Sequence, residues 1–501
     1  MDLELKREAL QFERLVTQGE EQVSIEGEAT LPGSMRDAVT VLSVQAQVCL
    51  TGTQAGMGEA AVRGRVCFQV LYTQGDLTKI RALETTCDFD HALSLADVTP
   101  GMRVSASAAV QETQGQATSG RMTLRALLGI QAEAFECVQK ELVTDAAQTG
   151  EAAGGLQTRS QSVAFCCTQE LGEGKTLVRE EFDLPSKLEV GDVLSATGTA
   201  SAGELTGGSG RVGVSGVVEV RVLHRPREAG NPLVVTTHEL PYEVAIDAQL
   251  PEGAQPRMTA EVVDVMADSA ATDKRRTLRV EAEVRVTLRL CRQGEMQLLE
   301  DLYSLSGDEL IPVREQLDVH TFEESATARE STRLQIAMPQ EAPPVQTMLA
   351  TFVQPTLTSL TPAGRRLDAE GLMSVTLIYL PVDSDIPYAV RTREPFAMTF
   401  PIEAGEGVRG QLRAIESSAG PTTSDRAEVR CVLGLETTQH GIRRVDAITD
   451  VEQRPAEAQD HGFVLVWPAA GESRWQTARR LRVAESSLIP AGKNALLAFR
   501  R

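Results

Sequence analysis

The stretch Gly64-Arg65-Val66-Cys67-Phe68-Gln69-Val70-Leu71-Tyr72 decides how the rest of the chain is read. It returns as Gly216-Val217-Val218-Glu219-Val220-Arg221-Val222-Leu223-His224 and again as Gly371-Leu372-Met373-Ser374-Val375-Thr376-Leu377-Ile378-Tyr379. One face of the first copy carries Val66, Phe68, Val70 and Tyr72. The matching faces are Val218, Val220, Val222, His224 and Met373, Val375, Leu377, Tyr379. Successive side chains of a strand point to opposite sides, so this alternation predicts a half-buried β-strand led by a turn glycine. The glycines are 152 and 155 residues apart, which implies one unit used three times. His224 holds the inward place that tyrosine fills in the other copies, so its expected role is structural.

The repeat extends well beyond that strand. Pro32, Pro185 and Pro339 precede the glycines by 32, 31 and 32 residues. Val41-Leu42, Val193-Leu194 and Met348-Leu349 lie between proline and glycine, and Phe89, Tyr242 and Phe396 follow the glycine by 25, 26 and 25 residues. A long alternating strand closes each copy, with Leu124 to Ile130, Leu278 to Leu290 and Val429 to Leu435 pointing inward on every second residue. Alternation with one wet face argues for antiparallel sheets. The expected fold is all-β: three tandem antiparallel β-sandwich-like repeats over residues 1–145, 146–305 and 306–455. Ala146 to Leu156 and Glu324 to Glu330 read as linkers or short turns, and Gly198 to Gly213 and Gly420 to Ser424 as hairpin loops.

Composition narrows the function. The chain has 501 residues and a net charge of −21, a balance that repels a phosphate backbone and argues against nucleic acid as partner. The eight cysteines show no Cys-x-x-Cys pair or regular spacing, and Cys67, Cys291 and Cys431 sit in strand-like runs as small hydrophobes. That usage, with no apolar signal core at the N-terminus, suggests a reducing compartment. No apolar run is long enough for a transmembrane helix.

Chemistry-bearing motifs are weak. Gly208-Ser209-Gly210-Arg211-Val212-Gly213 matches G-x-G-x-x-G, but an alternating strand follows where a phosphate-binding helix should begin. Gly172-Glu173-Gly174-Lys175-Thr176 imitates only the end of a P-loop. The six histidines are scattered, with no metal spacing among them. No catalytic residue, cofactor or metal site is expected, and the chain reads as a non-enzymatic scaffold.

Residues 460–501 differ from the repeats. Phe463, Leu465 and Trp467 alternate as a short strand, Ser473 and Gln476 fit a capping box, and Trp475, Ala478, Arg479 and Arg482 follow at helical spacing. Ala484 to Ile489 suggests a second helix, and Ala495 to Phe499 a final strand. The expected module is a small α/β unit with Trp475 as its anchor. Its candidate partner-binding residues are Trp475, Arg479, Arg480, Leu481, Val483 and Leu488. The apolar members also serve as module core, and Arg479 and Arg480 are placed to meet an acidic partner.

Pro32 with Val41-Leu42, Val48-Cys49-Leu50 and Gly64 through Tyr72 resemble the SPOCS (spore coat) domain, over roughly residues 1 to 450. Glu4-Leu5-Lys6-Arg7-Glu8 is similar to that family's usual beginning. Gly471 to Trp475, followed by Ala478, Arg479, Arg480 and Val483, resembles a LysM module, which implies a βααβ fold. SPOCS repeats ending in LysM are the arrangement of the SipL-like family. The resemblance implies a coat-assembly adaptor in the mother-cell cytoplasm, at the forespore surface. It further implies binding of the coat morphogenetic ATPase SpoIVA through the C-terminal end. The rival reading is a cell-envelope protein that binds peptidoglycan-type glycans through the LysM-like module.

Overall fold

The computed structural model describes residues 2–31, 39–75, 78–118, 120–149, 155–207, 210–227, 233–251, 256–271, 276–305, 308–423, 425–455, 462–492 and 495–500. Pro32, Gly208 and Ser209 lie outside them. Alternating residues pair in three six-stranded units. The first holds β1 (Asp2–Thr30), β2 (Val39–Ala55), β3 (Glu59–Gln74), β4 (Arg81–Ser94), β5 (Arg103–Thr118) and β6 (Arg121–Thr149). The second holds β7 (Leu156–Phe182), β8 (Val190–Gly207), β9 (Val212–Pro226), β10 (Val234–Ile246), β11 (Arg257–Ala271) and β12 (Arg276–Ser304). The third holds β13 (Glu309–Ala337), β14 (Val345–Ala363), β15 (Arg366–Pro381), β16 (Tyr388–Phe400), β17 (Arg409–Thr423) and β18 (Arg426–Arg454).

Each unit makes the same pair of three-stranded antiparallel sheets: β1-β6-β5 with β2-β3-β4, β7-β12-β11 with β8-β9-β10, and β13-β18-β17 with β14-β15-β16. The inward faces read from the repeats are buried as expected. Val66, Phe68, Val70 and Tyr72 pack with Leu124, Ala126, Leu128 and Ile130. In the second unit Val218, Val220 and Val222 pack with Leu278 to Leu288, and in the third Met373, Val375 and Leu377 pack with Val429 to Leu435. His224 and Tyr379 are fully buried at the equivalent place, opposite Val193 and Met348 just as Tyr72 stands opposite Val41. Burial pushes the His224 imidazole below its ordinary pKa, favouring the neutral ring.

The strands are longer than the sequence suggests, and several expected loops are sheet. Glu324 to Glu330 lies inside β13, Ala146 to Thr149 finishes β6, Gly198 to Gly207 belongs to β8, and Gly420 to Thr423 belongs to β17. The expected division between residues 145 and 146 therefore falls within β6. Polar residues mislead here because β8 and β17 each keep a solvated face. Gly172 to Thr176 is also strand, within β7, so no helix N-terminus faces it. Pro185 and Pro339 accept hydrogen bonds from Leu188 and Ala342 in tight turns after the unit's first strand.

Gly64, Gly216 and Gly371 are mid-strand residues rather than turn residues. Each lies opposite the downstream aromatic of its own repeat: Gly64 opposite Phe89, Gly216 opposite Tyr242, and Gly371 opposite Phe396. The ring lies across the glycine, so a glycine in a strand marks a close approach. A Cβ on Gly216 would fall 2.2 Å from the Ser201 carbonyl oxygen and 2.4 Å from the Tyr242 hydroxyl, which itself donates to Ser201 O at 3.0 Å. Gly216→Ala is expected to cost about 1–3 kcal/mol by overpacking. Chemical denaturation reads this as a lower midpoint with unchanged slope, and an unaltered midpoint would mean that the ring does not close over the glycine.

The Val-Leu landmark has its own cause. The register between the second and third strands of each unit slips by one residue at Leu42, Leu194 and Leu349. A β-bulge re-aims its extra side chain. Here Leu42 and Leu194 join Leu71, Leu223 and Ile378, each seven residues past its glycine, in a core shared by all three units, with Leu349 packed against it. A second shared core forms where the first and last strands of each unit run on beyond the sandwich. Leu10, Val163 and Leu317 each stand 22 residues before their proline, and they meet Leu142, Leu298 and Ala447 there. The three units thus close on one another with quasi-threefold equivalence.

Cys166 and Cys291 form a disulfide between β7 and β12, with Cα atoms 6.2 Å apart. This corrects the reading of Cys291 as a small hydrophobe and of the cysteines as unpaired. The sequence separation of 125 between the partners hides from spacing what antiparallel pairing brings together.

Candidate docking module and its seam

The C-terminal module contains β19 (Gly462–Val466), α1 (Arg474–Leu481), a single 3₁₀ turn (Glu485–Ser487), β20 (Ile489–Gly492) and β21 (Ala495–Arg500), in a sheet ordered β19-β21-β20. The expected capping box is present: the Ser473 hydroxyl accepts from the Gln476 N–H at 3.2 Å, and the Ser473 N–H donates to Gln476 Oε1 at 2.7 Å. The expected βααβ order is not. Arg482 turns left-handed at φ 53° and closes α1, after which only three residues wind before Pro490 enters a third strand. The second helix is therefore one 3₁₀ turn.

The predicted partner-binding residues mostly face inward. Trp475, Leu481, Val483 and Leu488 form the module's core with Ala478 and Ala498, and Tyr303 at the end of β12 completes it. Tyr303 meets Trp475 edge-on at 5.0 Å and donates to the Val483 carbonyl at 2.8 Å. Burial, with Glu485 and Asp301 nearby, pushes the Tyr303 hydroxyl up to about 12, so it stays a donor. Arg480 pairs with Glu472 at 3.0 Å.

Asp301 is the joint. Its carboxylate accepts from Trp475 Nε1 at 2.8 Å, from Arg479 Nη1 at 2.8 and 2.9 Å, and from Arg314 Nη2 at 3.2 Å. Arg479 is therefore a fastening to the second unit rather than a free contact for an acidic partner. Arg482 adds hydrogen bonds to the Ser304 and Asp308 carbonyls. The β7–β12 register slips between Leu299 and Asp301, and this bulge at Glu300 sets Asp301 in place. The same slip occurs in the other units at Thr144 and Thr449, which makes Asp145 and Asp450 the counterparts of Asp301. Arg7 reaches Asp450 at 3.0 Å as Arg314 reaches Asp301, so the third unit is tied to the first by the same device.

With the core turned inward, the sheet's outer side is left apolar. Phe463 and Leu465 of β19, Phe499 of β21 and Ile489 of β20 are exposed, with Trp467 beyond them. Phe463 lies opposite Phe499, their rings 4.9 Å apart, and Leu497 stands between Leu465 and Ile489. Sequence reasoning read Phe463, Leu465 and Trp467 only as a strand. The available signal was the uninterrupted run Phe463-Val464-Leu465-Val466-Trp467, since a strand apolar on both faces needs a cover on both. Residues 462–501 carry seven Lys and Arg against two Asp and Glu, in a chain whose net charge is −21.

A second polar cluster locks the first unit to the third. Arg103 holds Glu13 with two hydrogen bonds of 3.0 Å, and His320 Nδ1 lies 3.6 Å from Glu13 Oε2. His320 and His440 face each other at 3.2 Å, and His440 Nε2 is 3.1 Å from Glu133, which also meets Arg409 at 3.3 Å. Phe135 packs on both imidazoles while Arg103 lies 4.2 Å over its ring. Burial opposes ionisation of Glu13, but His320 and Arg103 overcome it and hold its pKa at about 2. Glu133 is likewise lowered, against burial, by His440 and Arg409. The histidines scattered in sequence thus include one facing pair, His320 and His440, 120 residues apart.

Residues 37–117, covering β2 through most of β5, match the family model described as SipL, SPOCS domain. No curated protein and no solved structure matches the chain. Among the described residues no helix is long and apolar enough to cross a membrane.

Proposed function

We propose, for a chain whose residues 37–117 are a SPOCS domain, a non-enzymatic role in spore-coat assembly as an adaptor. The three-unit ring is the scaffold, and the C-terminal module docks the coat morphogenetic ATPase SpoIVA, tethering coat to the forespore surface. The observation that carries this reading is the module's construction. One side is fastened to β12 through Asp301 and Tyr303, while the opposite side presents Phe463, Leu465, Ile489, Trp467 and Phe499 to solvent. A fixed apolar face of large side chains is the makings of a protein interface. The site residues of this reading are therefore the outer sheet face, with Trp475 and Arg479 supporting it from behind.

Leu465→Asp places a charge at the centre of that face without touching the module core. It is expected to abolish capture of SpoIVA by the purified full-length chain while leaving the melting temperature unchanged. Capture at wild-type strength by the variant would remove the face from the mechanism. Retention on purified peptidoglycan without capture of SpoIVA would favour the glycan-binding alternative.

A further inference from the structure

The Cys166–Cys291 bond sits at a boundary inside the second unit. On one side of it β7 and β12 build the sandwich, where Leu171 and Val178 pack with Leu278, Val280, Val284 and Leu288. On the other side the same two strands run on as a stem. There Val163 and Leu298 enter the second shared core, and Asp301 and Tyr303 hold the module. The bond therefore closes a loop that contains β8 to β11 and leaves the stem outside it. The position recurs in the other units. Cys166 stands 19 residues before its proline, as Glu13 and His320 do, and Cys291 stands seven before Leu298, as Phe135 and His440 stand before Leu142 and Ala447. The register agrees: Glu13 lies opposite Cys137, Cys166 opposite Gln293 and His320 opposite Ile442, each two residues past Phe135, Cys291 or His440. The third unit closes the equivalent pair with two imidazoles 3.2 Å apart, whereas the second closes it covalently. The covalent tie is thus on the unit that carries the module, and a bond between sulfurs can be opened by a reductant.

We propose that Cys166–Cys291 is a redox-controlled clamp on the stem that carries the module. Closed, it keeps β7 and β12 paired at the mouth of the stem when the sandwich opens. Reduced, it lets that opening spread toward Asp301 and Tyr303. The co-reactant is a dithiol. Cys166 is fully buried and Cys291 only half-buried, so a thiolate of the dithiol attacks Cys291 Sγ. The protein S–S bond breaks, and the Cys166 thiolate leaves and takes a proton. The dithiol's second sulfur, as thiolate, then attacks the reductant sulfur of the mixed disulfide. That step closes an S–S bond within the reductant and releases the Cys291 thiolate, which takes the second proton. Two electrons and two protons pass from the dithiol to the two cysteines.

The test follows amide hydrogen exchange and thermal unfolding of the full chain, air-oxidised or held in dithiothreitol, with the bond mapped by mass spectrometry. Reduction is expected to speed exchange about tenfold or more in residues 161–172 and 287–298, and to lower the melting temperature by several degrees. Residues 474–481 of α1 should speed up with them, while β3 and β15 keep their protection. Reoxidation should restore the slow exchange. Cys291→Ser should exchange like the reduced protein in either condition, which separates this bond from the other thiols. Should that variant fail to fold, reduced wild type still answers the question. Free thiols at both positions in the oxidised chain, or identical exchange in the two states, would overturn the proposal. So would a stem that responds while α1 does not, since bond and module would then be unlinked.

Discussion

Asp301→Ala is expected to release the C-terminal module from the ring while leaving the three units folded. The substitution removes the one acceptor shared by Trp475 Nε1, Arg479 and Arg314. A guanidinium and an indole N–H then face a largely buried gap with nothing to accept their protons. Breaking a buried charge pair from one side costs about 3–5 kcal/mol, mostly as the penalty on the group left behind. The remaining fastenings are the Tyr303 hydroxyl on Val483 O and the Arg482 contacts to Ser304 and Asp308 carbonyls. The neutral tyrosine bond is worth about 1 kcal/mol net and the charge-assisted Arg482 bonds about 1.5–3 kcal/mol each, so the joint is weakened while the module's own core is left intact. Amide hydrogen exchange should show residues 474–483 losing protection while β3, β9 and β15 keep theirs. Asp301→Asn, which retains an acceptor oxygen but not the charge, should fall between. Unchanged protection across α1 in the alanine variant would show that the Trp475–Tyr303 packing alone suffices.

The other large effect lies at the opposite seam and depends on pH. Glu13 has a folded pKa of about 2, below its ordinary value of 4.5. A carboxylate lowered in this way contributes stability that is fully present above the unfolded value, about 4.5. That contribution is lost as pH falls through the folded value. A depression of this size corresponds to about 3 kcal/mol at neutral pH. Glu13→Gln places an amide N–H₂ against the Arg103 donors, so the neutral-pH loss is expected at about 3–5 kcal/mol. Wild type and variant should converge as pH is lowered from about 4.5 toward 2, because protonated Glu13 and Gln carry the same charge. A stability gap that stays constant between pH 7 and pH 3 would mean that shape rather than ionisation at Glu13 holds the first unit to the third.

Much of the fold is legible because two-residue alternation reports burial directly. Val66, Phe68, Val70 and Tyr72 and their counterparts are all inside, and the long closing strands bury every residue assigned inward. The same logic fails for Leu71, Leu223 and Ile378, which sit on the supposedly wet face and are buried by the other repeats. Nothing in one strand's pattern says that a second copy of the unit will cover it. Leu42, Leu194 and Leu349 were visible as landmarks, but a bulge adds one residue without disturbing composition, so their reason was hidden. Glu13, His320 and His440 and the Cys166–Cys291 pair are joined only by the closing of the ring or by antiparallel pairing. The module's exposed apolar face escaped the sequence for a different reason. Trp475 and Arg479 have the chemistry of interface residues, and that chemistry is spent on the joint to β12.

The three equivalent aspartates lead to a statement about valency. Asp145, Asp301 and Asp450 stand at the same bulge in the three units, yet only Asp301 has a tyrosine two residues on, where the others have Ala147 and Glu452. The scaffold offers three similar berths and fills one. In the proposed role, a chain that docks its partner through the outer face of this one module makes one such contact. A contact of that kind caps or anchors an assembly, and growth of a lattice would then come from the partner or from a different surface of the ring.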